Sequence, residues 1–103
     1  MIMHYVYILR SKSTPGAIYI GETSDLNARL HQHNNLENYF SKRHAPWEVE
    51  TYIAFTNKTD AKNFEEYLKV GSGNAFMKKR LLSKSFKEAL AKFNNGRASS
   101  TKL

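Results

Sequence analysis

The sequence predicts an α+β domain, a small three-stranded, mostly antiparallel sheet flanked by helices. Three observations predict it. Residues 5–9 (Tyr-Val-Tyr-Ile-Leu) and 17–21 (Ala-Ile-Tyr-Ile-Gly) are short runs of high sheet propensity, separated by a polar segment ending in Pro15-Gly16. Residues 47–55 alternate apolar and polar over a third strand. The segments that follow place apolar residues at the spacing of a helix face.

The first two runs read as a hairpin. Successive side chains of a strand point to opposite faces, so Tyr5 and Tyr7 share one face with Tyr19, and Val6, Ile8, Ile18 and Ile20 share the other. Gly21 closes the second strand and leaves room for a close approach to its backbone. A helix over 25–33 follows, with Thr23 or Ser24 as its cap, Asp25 at the positive end of its dipole and Asn34-Asn35 as its end. Its inward stripe is Leu26, Arg29, Leu30 and His33. Residues 34–46 read as a loop, basic at Lys42-Arg43-His44 and ending in Pro46. The third strand is expected to turn Trp47, Val49, Thr51, Ile53 and Phe55 to a single face.

Thr59 or Asp60 opens a helix to Lys69, with Ala61, Phe64, Glu65 and Leu68 inward. Gly71-Ser72-Gly73 breaks it, and residues 74–82 follow with Phe76, Met77, Arg80 and Leu81 on one face. Ser85-x-x-Glu88 matches a capping box for a last helix whose stripe is Phe86, Ala89, Leu90 and Phe93. Residues 1–94 thus form one domain, and 95–103 are expected to be a disordered tail.

Composition narrows the function. Without cysteine there is no disulfide framework, thiolate metal site or thiol nucleophile. No apolar run reaches the roughly 18 residues of a membrane span and no signal peptide opens the chain, so a cytoplasmic protein with no membrane association is expected. Net charge is +7 and unevenly spread: residues 1–68 hold seven Lys/Arg against eight acids, and residues 69–103 nine against one. Such asymmetry suits a polyanion, most simply nucleic acid.

Arg29 and Glu65 are charges in stripes otherwise filled by Leu, Ala and Phe. A buried charge is costly unless paired, so one reading is an Arg29–Glu65 ion pair or two heads reaching water at the stripe edge. The other is chemical. Glu65 is a hard oxygen ligand for one Mg²⁺ that keeps waters and phosphate in its shell. Arg29 offers a fork of donors to phosphate, and Tyr7 and Tyr19 can orient a water or a scissile phosphate. Phosphodiester hydrolysis needs these parts.

The run Tyr5-Val6-Tyr7, then Tyr19-Ile20-Gly21, then Arg29 ten residues after Tyr19, resembles the GIY-YIG nuclease domain over residues 3–82. It is most similar to the small stand-alone members, predicted endonucleases; other members serve in DNA repair and recombination. The resemblance implies a divalent-metal-dependent DNA endonuclease. Tyr7 would be a general base or water-orienting group and Tyr19 a phosphate contact. Arg29 would stabilise the phosphate, His33 would be a second proton-transfer group, and Glu65 would hold one Mg²⁺ or Mn²⁺. Glu66 falls off the inward stripe, and His44 is a weaker candidate. Two positions depart from the pattern: Tyr5 stands where the first motif has Gly, and Asn74 follows Glu65 by nine residues, a spacing that does not place the Asn of relatives.

The basic end, Lys69, Lys78, Lys79, Arg80, Lys84, Lys87 and Lys92, is the expected DNA contact. Phosphate contacts position DNA without specifying sequence. Low sequence specificity is therefore expected, with selection for nicked, branched or single-stranded DNA left open. The alternative is a non-catalytic nucleic-acid-binding module, or one active only when a partner protein supplies targeting. Oligomeric state is not legible.

Overall fold

The predicted hairpin forms and is extended by the third strand. The structure, a computed structural model, describes residues 1–35 and 39–95, with 39–41 and 93–95 described by their backbone alone. The elements are β1 (His4–Ser11), β2 (Ile18–Thr23), α1 (Leu26–Asn34), α2 (Tyr39–His44), β3 (Trp47–Phe55), α3 (Lys58–Lys69), α4 (Gly71–Arg80) and α5 (Lys84–Asn95). The strands run in the order β2-β1-β3, each pairing antiparallel with the central β1. The expected tail lies outside the described residues except for Asn95, which ends α5.

The alternation of β1 divides the core in two. Val6, Ile8, Ile18 and Ile20 form one layer with Ala61, Leu68, Met77, Leu82 and Phe86 from the α3–α5 half of the chain. Each such side chain contributes about 1.5–3 kcal/mol on burial, so this face supplies most of the apolar stabilisation. Tyr7 and Leu9 point the other way, toward Ala17 and Trp47, with Leu26 and Leu30 of α1 packed against them. The aromatic and aliphatic faces of the hairpin are therefore as the alternation predicted.

Strand β3 is not the uniform ribbon its alternation suggested. Leu9 pairs with Val49 but the adjacent Ile8 pairs with Thr51, which leaves Glu50 as an extra residue, a β-bulge. Partners across an antiparallel pair share a face. Trp47 and Val49 therefore lie on the Tyr7 face, and Thr51, Ile53 and Phe55 on the Val6–Ile8 face. One inserted residue flips every side chain beyond it, and it brings Tyr52 opposite Tyr7. The bulged Glu50 accepts from the backbone N–H of Ser83, and the Thr51 hydroxyl donates to the carbonyl of Leu81. The irregularity thereby anchors the α4–α5 connection.

Helix boundaries shift from those expected for local polar reasons. Asp25 itself caps α1, its carboxylate accepting from the N–H of Ala28 at 3.0 Å, while the Thr23 hydroxyl accepts from the N–H of Asp25 at 3.1 Å. Asn57 caps α3 by accepting from the N–H of Asp60 at 3.1 Å, so that helix opens at Lys58. The Ser83 hydroxyl accepts from the N–H of Phe86 at 3.2 Å, displacing Ser85 from the capping role. Gly71, at φ 56°, opens α4 instead of ending in a break. Phe76 of that helix is 40% exposed, so its predicted face holds for Met77 and not for Phe76 or Arg80. The expected loop over 34–46 contains α2, whose residues carry no apolar stripe by which its periodicity could be read. Among the described residues no helix is long and apolar enough to cross a membrane.

Candidate active site

The fold gathers Tyr7, Tyr19, Arg29 and His33 at one place between the sheet and α1. Tyr7 projects from the central strand opposite Gly21 of β2, and its hydroxyl lies over that glycine so closely that a Cβ there would collide with it. This is the close approach the sequence anticipated, made by the motif tyrosine. The rings of Tyr7 and Tyr19 are stacked with centroids 6.3 Å apart. His33, at the last turn of α1, is 3% exposed and sets its Nε2 3.2 Å from the Tyr7 hydroxyl. Its ring lies 4.4 Å from that of Tyr19 and 6.4 Å from Trp47.

Burial sorts these groups into an inner and an outer set. Tyr7 is completely enclosed, while Tyr19 and Arg29 are half-buried and reach solvent. Loss of hydration on burial pushes the Tyr7 phenol up to about 12, against a hydrogen bond from Arg29 and the charge of that guanidinium, which pull it down; Tyr19 and Glu65 add to the rise. The His33 imidazole is held below its ordinary 6.5, first by burial and then by the charge of Arg29. At neutral pH the pair is thus a protonated phenol beside a neutral imidazole. Arg29 also directs Nη1 toward the carbonyl of Glu22 at 3.5 Å, and among the described residues no carboxylate ion-pairs with it.

Glu65 occupies the inward stripe of α3 with Ala61 and Leu68 and is 8% exposed, whereas Glu66 is exposed. Its partners are Lys69, with Nζ 2.9 Å from Oε2, and Lys62, with Nζ 3.8 Å from Oε1. The Arg29–Glu65 bridge that the stripes permitted is therefore replaced by two lysines one helical turn away on either side. Lys62 was not singled out in the sequence; its i,i+3 spacing to Glu65 was the available signal. Among the described residues no group of three His, Cys, Asp or Glu is placed to hold a metal. A lone carboxylate nevertheless suits a Mg²⁺ that completes its shell with water and phosphate, and both lysine heads are near half exposed.

His44 stands apart from the Tyr7–His33 pair. Its Nδ1 lies 3.0 Å from the Thr14 hydroxyl and its ring 6.2 Å from Trp47, at the β1–β2 loop. Asn74 donates its amide to the carbonyl of Leu68 at 3.1 Å, tying α4 to the end of α3. The basic residues divide as well. Lys69, at the end of α3, reaches Glu65, while Lys78, Lys79 and Arg80 of α4 and Lys84 and Lys87 of α5 sit on the two helices that carry none of the site candidates. Lys87 there donates to the carbonyl of Lys79 at 2.6 Å.

Residues 3–80 match the GIY-YIG catalytic domain. The chain belongs to the GIY-YIG family. Within it, the chain is 35% identical over 87 residues to a UPF0213 protein of Clostridium perfringens, covering 84% of this chain and 90% of that one. It is 43% identical over 65 residues to the structure-specific endonuclease subunit slx1 of Talaromyces marneffei, covering 57% of this chain. The chain spans only 17% of that fungal protein's length. Among solved structures, the solution NMR structure of a UPF0213 protein from Bacillus halodurans aligns over 94% of this chain and 90% of that one, with a TM-score of 0.41 and 28% identity. The two tyrosines and Arg29 of the GIY-YIG pattern are the residues that the fold has brought together around His33.

Proposed function

We propose that this GIY-YIG protein is a divalent-metal-dependent DNA endonuclease of low sequence specificity. The observation that carries the reading is the convergence of Tyr7, Tyr19, Arg29 and His33 from β1, β2 and α1, with Glu65 buried on the inward stripe of α3. Arg29 and Tyr19, the members that reach solvent, meet the scissile phosphate. The guanidinium gives two parallel donors to its oxygens and stabilises the charge that builds on them. A phosphate draws Arg29 off the Tyr7 phenol and opens a path for water. As the water oxygen bonds to phosphorus, its proton passes to the Tyr7–His33 pair, where the neutral imidazole is the acceptor; the phosphorus–oxygen bond to the leaving strand breaks. Glu65 would hold one Mg²⁺ or Mn²⁺, which when bound offsets charge on the phosphate and leaving oxygens.

Lys62 and Lys69 mark the approach to Glu65, and Lys69 serves as a phosphate contact once it leaves the carboxylate. The curated fungal relative is named a subunit, and a partner protein that supplies substrate targeting is proposed here on that likeness. A nicking assay tests the reading. Supercoiled, flapped and single-stranded DNA are incubated with wild type and Glu65→Ala in Mg²⁺, Mn²⁺ or EDTA. Cleavage by wild type with metal, and a loss of at least about a hundredfold in Glu65→Ala with binding retained, is expected. Cleavage in EDTA, or equal cleavage by both proteins, overturns the metal role of Glu65. Salt-sensitive binding without cleavage by either would favour the non-catalytic module.

A further inference from the structure

The half of the Tyr7 face that α1 does not cover carries an aromatic shelf with no part in the proposed chemistry. Leu26 and Leu30 of α1 pack over the Leu9 and Trp47 side of the sheet. Beyond Tyr7 the face opens. Tyr52 of the edge strand β3 pairs with Tyr7 itself and shares its face through the Glu50 bulge, yet it is 54% exposed. The Tyr7 ring leans toward β2 and Gly21, away from Tyr52. Tyr5 supports Tyr52 edge-on, with centroids 5.7 Å apart and planes at 72°. A T-shaped contact engages one face or one edge of a ring, so Tyr52 keeps at least one ring face for another π-system.

We infer that Tyr52, braced by Tyr5, is a stacking platform for an unpaired nucleobase adjacent to the scissile phosphate. This rests on the phosphodiesterase reading of the neighbouring cluster and adds to it the feature of DNA that the protein selects. Tyr52 is the cross-strand partner of Tyr7, and such partners have Cβ atoms about 4.5–5.5 Å apart, so a strand whose phosphate is held at the Tyr7 cluster has a neighbouring base within reach of Tyr52. Base–aromatic stacking beside a cationic track is how single strands are held without sequence readout. Here Arg29, beside the Tyr7 phenol, supplies the positive charge for the phosphate. A base inside a duplex has both faces occupied by its neighbours; only a flap, gap or splayed end can offer one to the ring. The platform therefore favours branched or interrupted DNA over continuous duplex.

The test uses the full chain in EDTA, so that binding is read without cleavage. Oligonucleotides carry 2-aminopurine at each of the first three unpaired positions of a flap, with a fully paired duplex of the same sequence as control. Wild type is expected to quench the fluorescence at one flap position. Tyr52→Ala is expected to lose that quench and to bind the flap about tenfold more weakly, with duplex affinity within twofold. Tyr52→Phe and Tyr52→Trp should retain the quench, which separates stacking from a folding defect. Quenching by Tyr52→Ala equal to wild type, or equal weakening on flap and duplex, overturns the inference. A Tyr52-dependent quench in a protein that never cleaves with metal would uphold the platform and refute the nuclease reading. Metal-dependent cleavage with no flap-specific quench would do the reverse.

Discussion

The two faces of the sheet are built from alternate residues of the same strand, yet they obey different rules. On one, Val6, Ile8, Ile18 and Ile20 meet Ala61, Leu68, Met77 and Phe86, an apolar layer closed by three helices. On the other, a fully buried phenol touches an imidazole at 3.2 Å with a guanidinium close by. The first arrangement gains free energy with every methyl group it hides. The second hides polar groups that must be satisfied by one another. One layer holds the fold together and the other holds polar groups in a fixed arrangement.

Substitutions across the two faces should break the comparison in opposite ways. Ile8→Ala, on the aliphatic side, is expected to cost about 2–5 kcal/mol in denaturant unfolding while the surviving folded protein cleaves normally. Tyr19→Phe keeps the ring of a half-buried side chain and is expected to shift the unfolding midpoint far less than Ile8→Ala. It should lower the nicking rate about a hundredfold. Similar stability losses in both variants would erase the distinction. Gly21→Ala lies between them, since its methyl must displace the Tyr7 hydroxyl. A loss of about 1–3 kcal/mol is expected, with a larger loss of cleavage than any equally destabilising change on the aliphatic face.

The pH dependence sharpens the same contrast. The His33 imidazole is depressed in the fold, so the unfolded chain takes up a proton first as pH falls below 6.5. Stability from this residue is present above that pH and lost on acidification, and the cleavage rate should fall with it. Tyr7 runs in the alkaline direction: its phenol is raised from 10.0 to about 12, so its contribution is intact below pH 10 and lost as pH climbs through that interval. Thermal melts of His33→Asn and Tyr7→Phe across both ranges check each sign. The smallest effect is expected for Lys78, Lys79 and Arg80 changed together to Gln. They sit on α4, which carries none of the site candidates, so the salt slope of binding should flatten less than for Lys62→Gln with Lys69→Gln, the lysines beside Glu65.

Period-two alternation made the sorting of Tyr7 from Ile8 legible, and helical spacing did the same for Glu65 over Glu66. Both are local signals that the sequence carries whole. The bulge at Glu50 was not legible, because an extra residue leaves no mark on composition and its effect appears only when β1 fixes the register. Capping by Ser83 over Ser85 turned on which hydroxyl reached the N–H of Phe86, a matter of tertiary placement. The separation of the basic helices from the tyrosine cluster was hidden for the same reason. Charge along a chain says nothing about which side of a sheet its helix will cover. The i,i+3 and i,i+4 rule suffices to set both lysines beside Glu65, yet Lys69 was read only as part of the basic end and Lys62 not at all.

Because of Glu50, β3 is two half-strands in one: the odd-numbered Trp47 and Val49 serve the tyrosine layer, and the odd-numbered Thr51, Ile53 and Phe55 the aliphatic layer. Such a strand has a reading frame. Removing Glu50 would straighten it and leave Tyr52 opposite Tyr7. Removing Thr51 with the bulge kept would instead bring Tyr52 to Ile8, sending it into the oily layer and Ile53 out to the tyrosine face. The nine residues of β3 can thus lose one position without changing faces and cannot lose its neighbour.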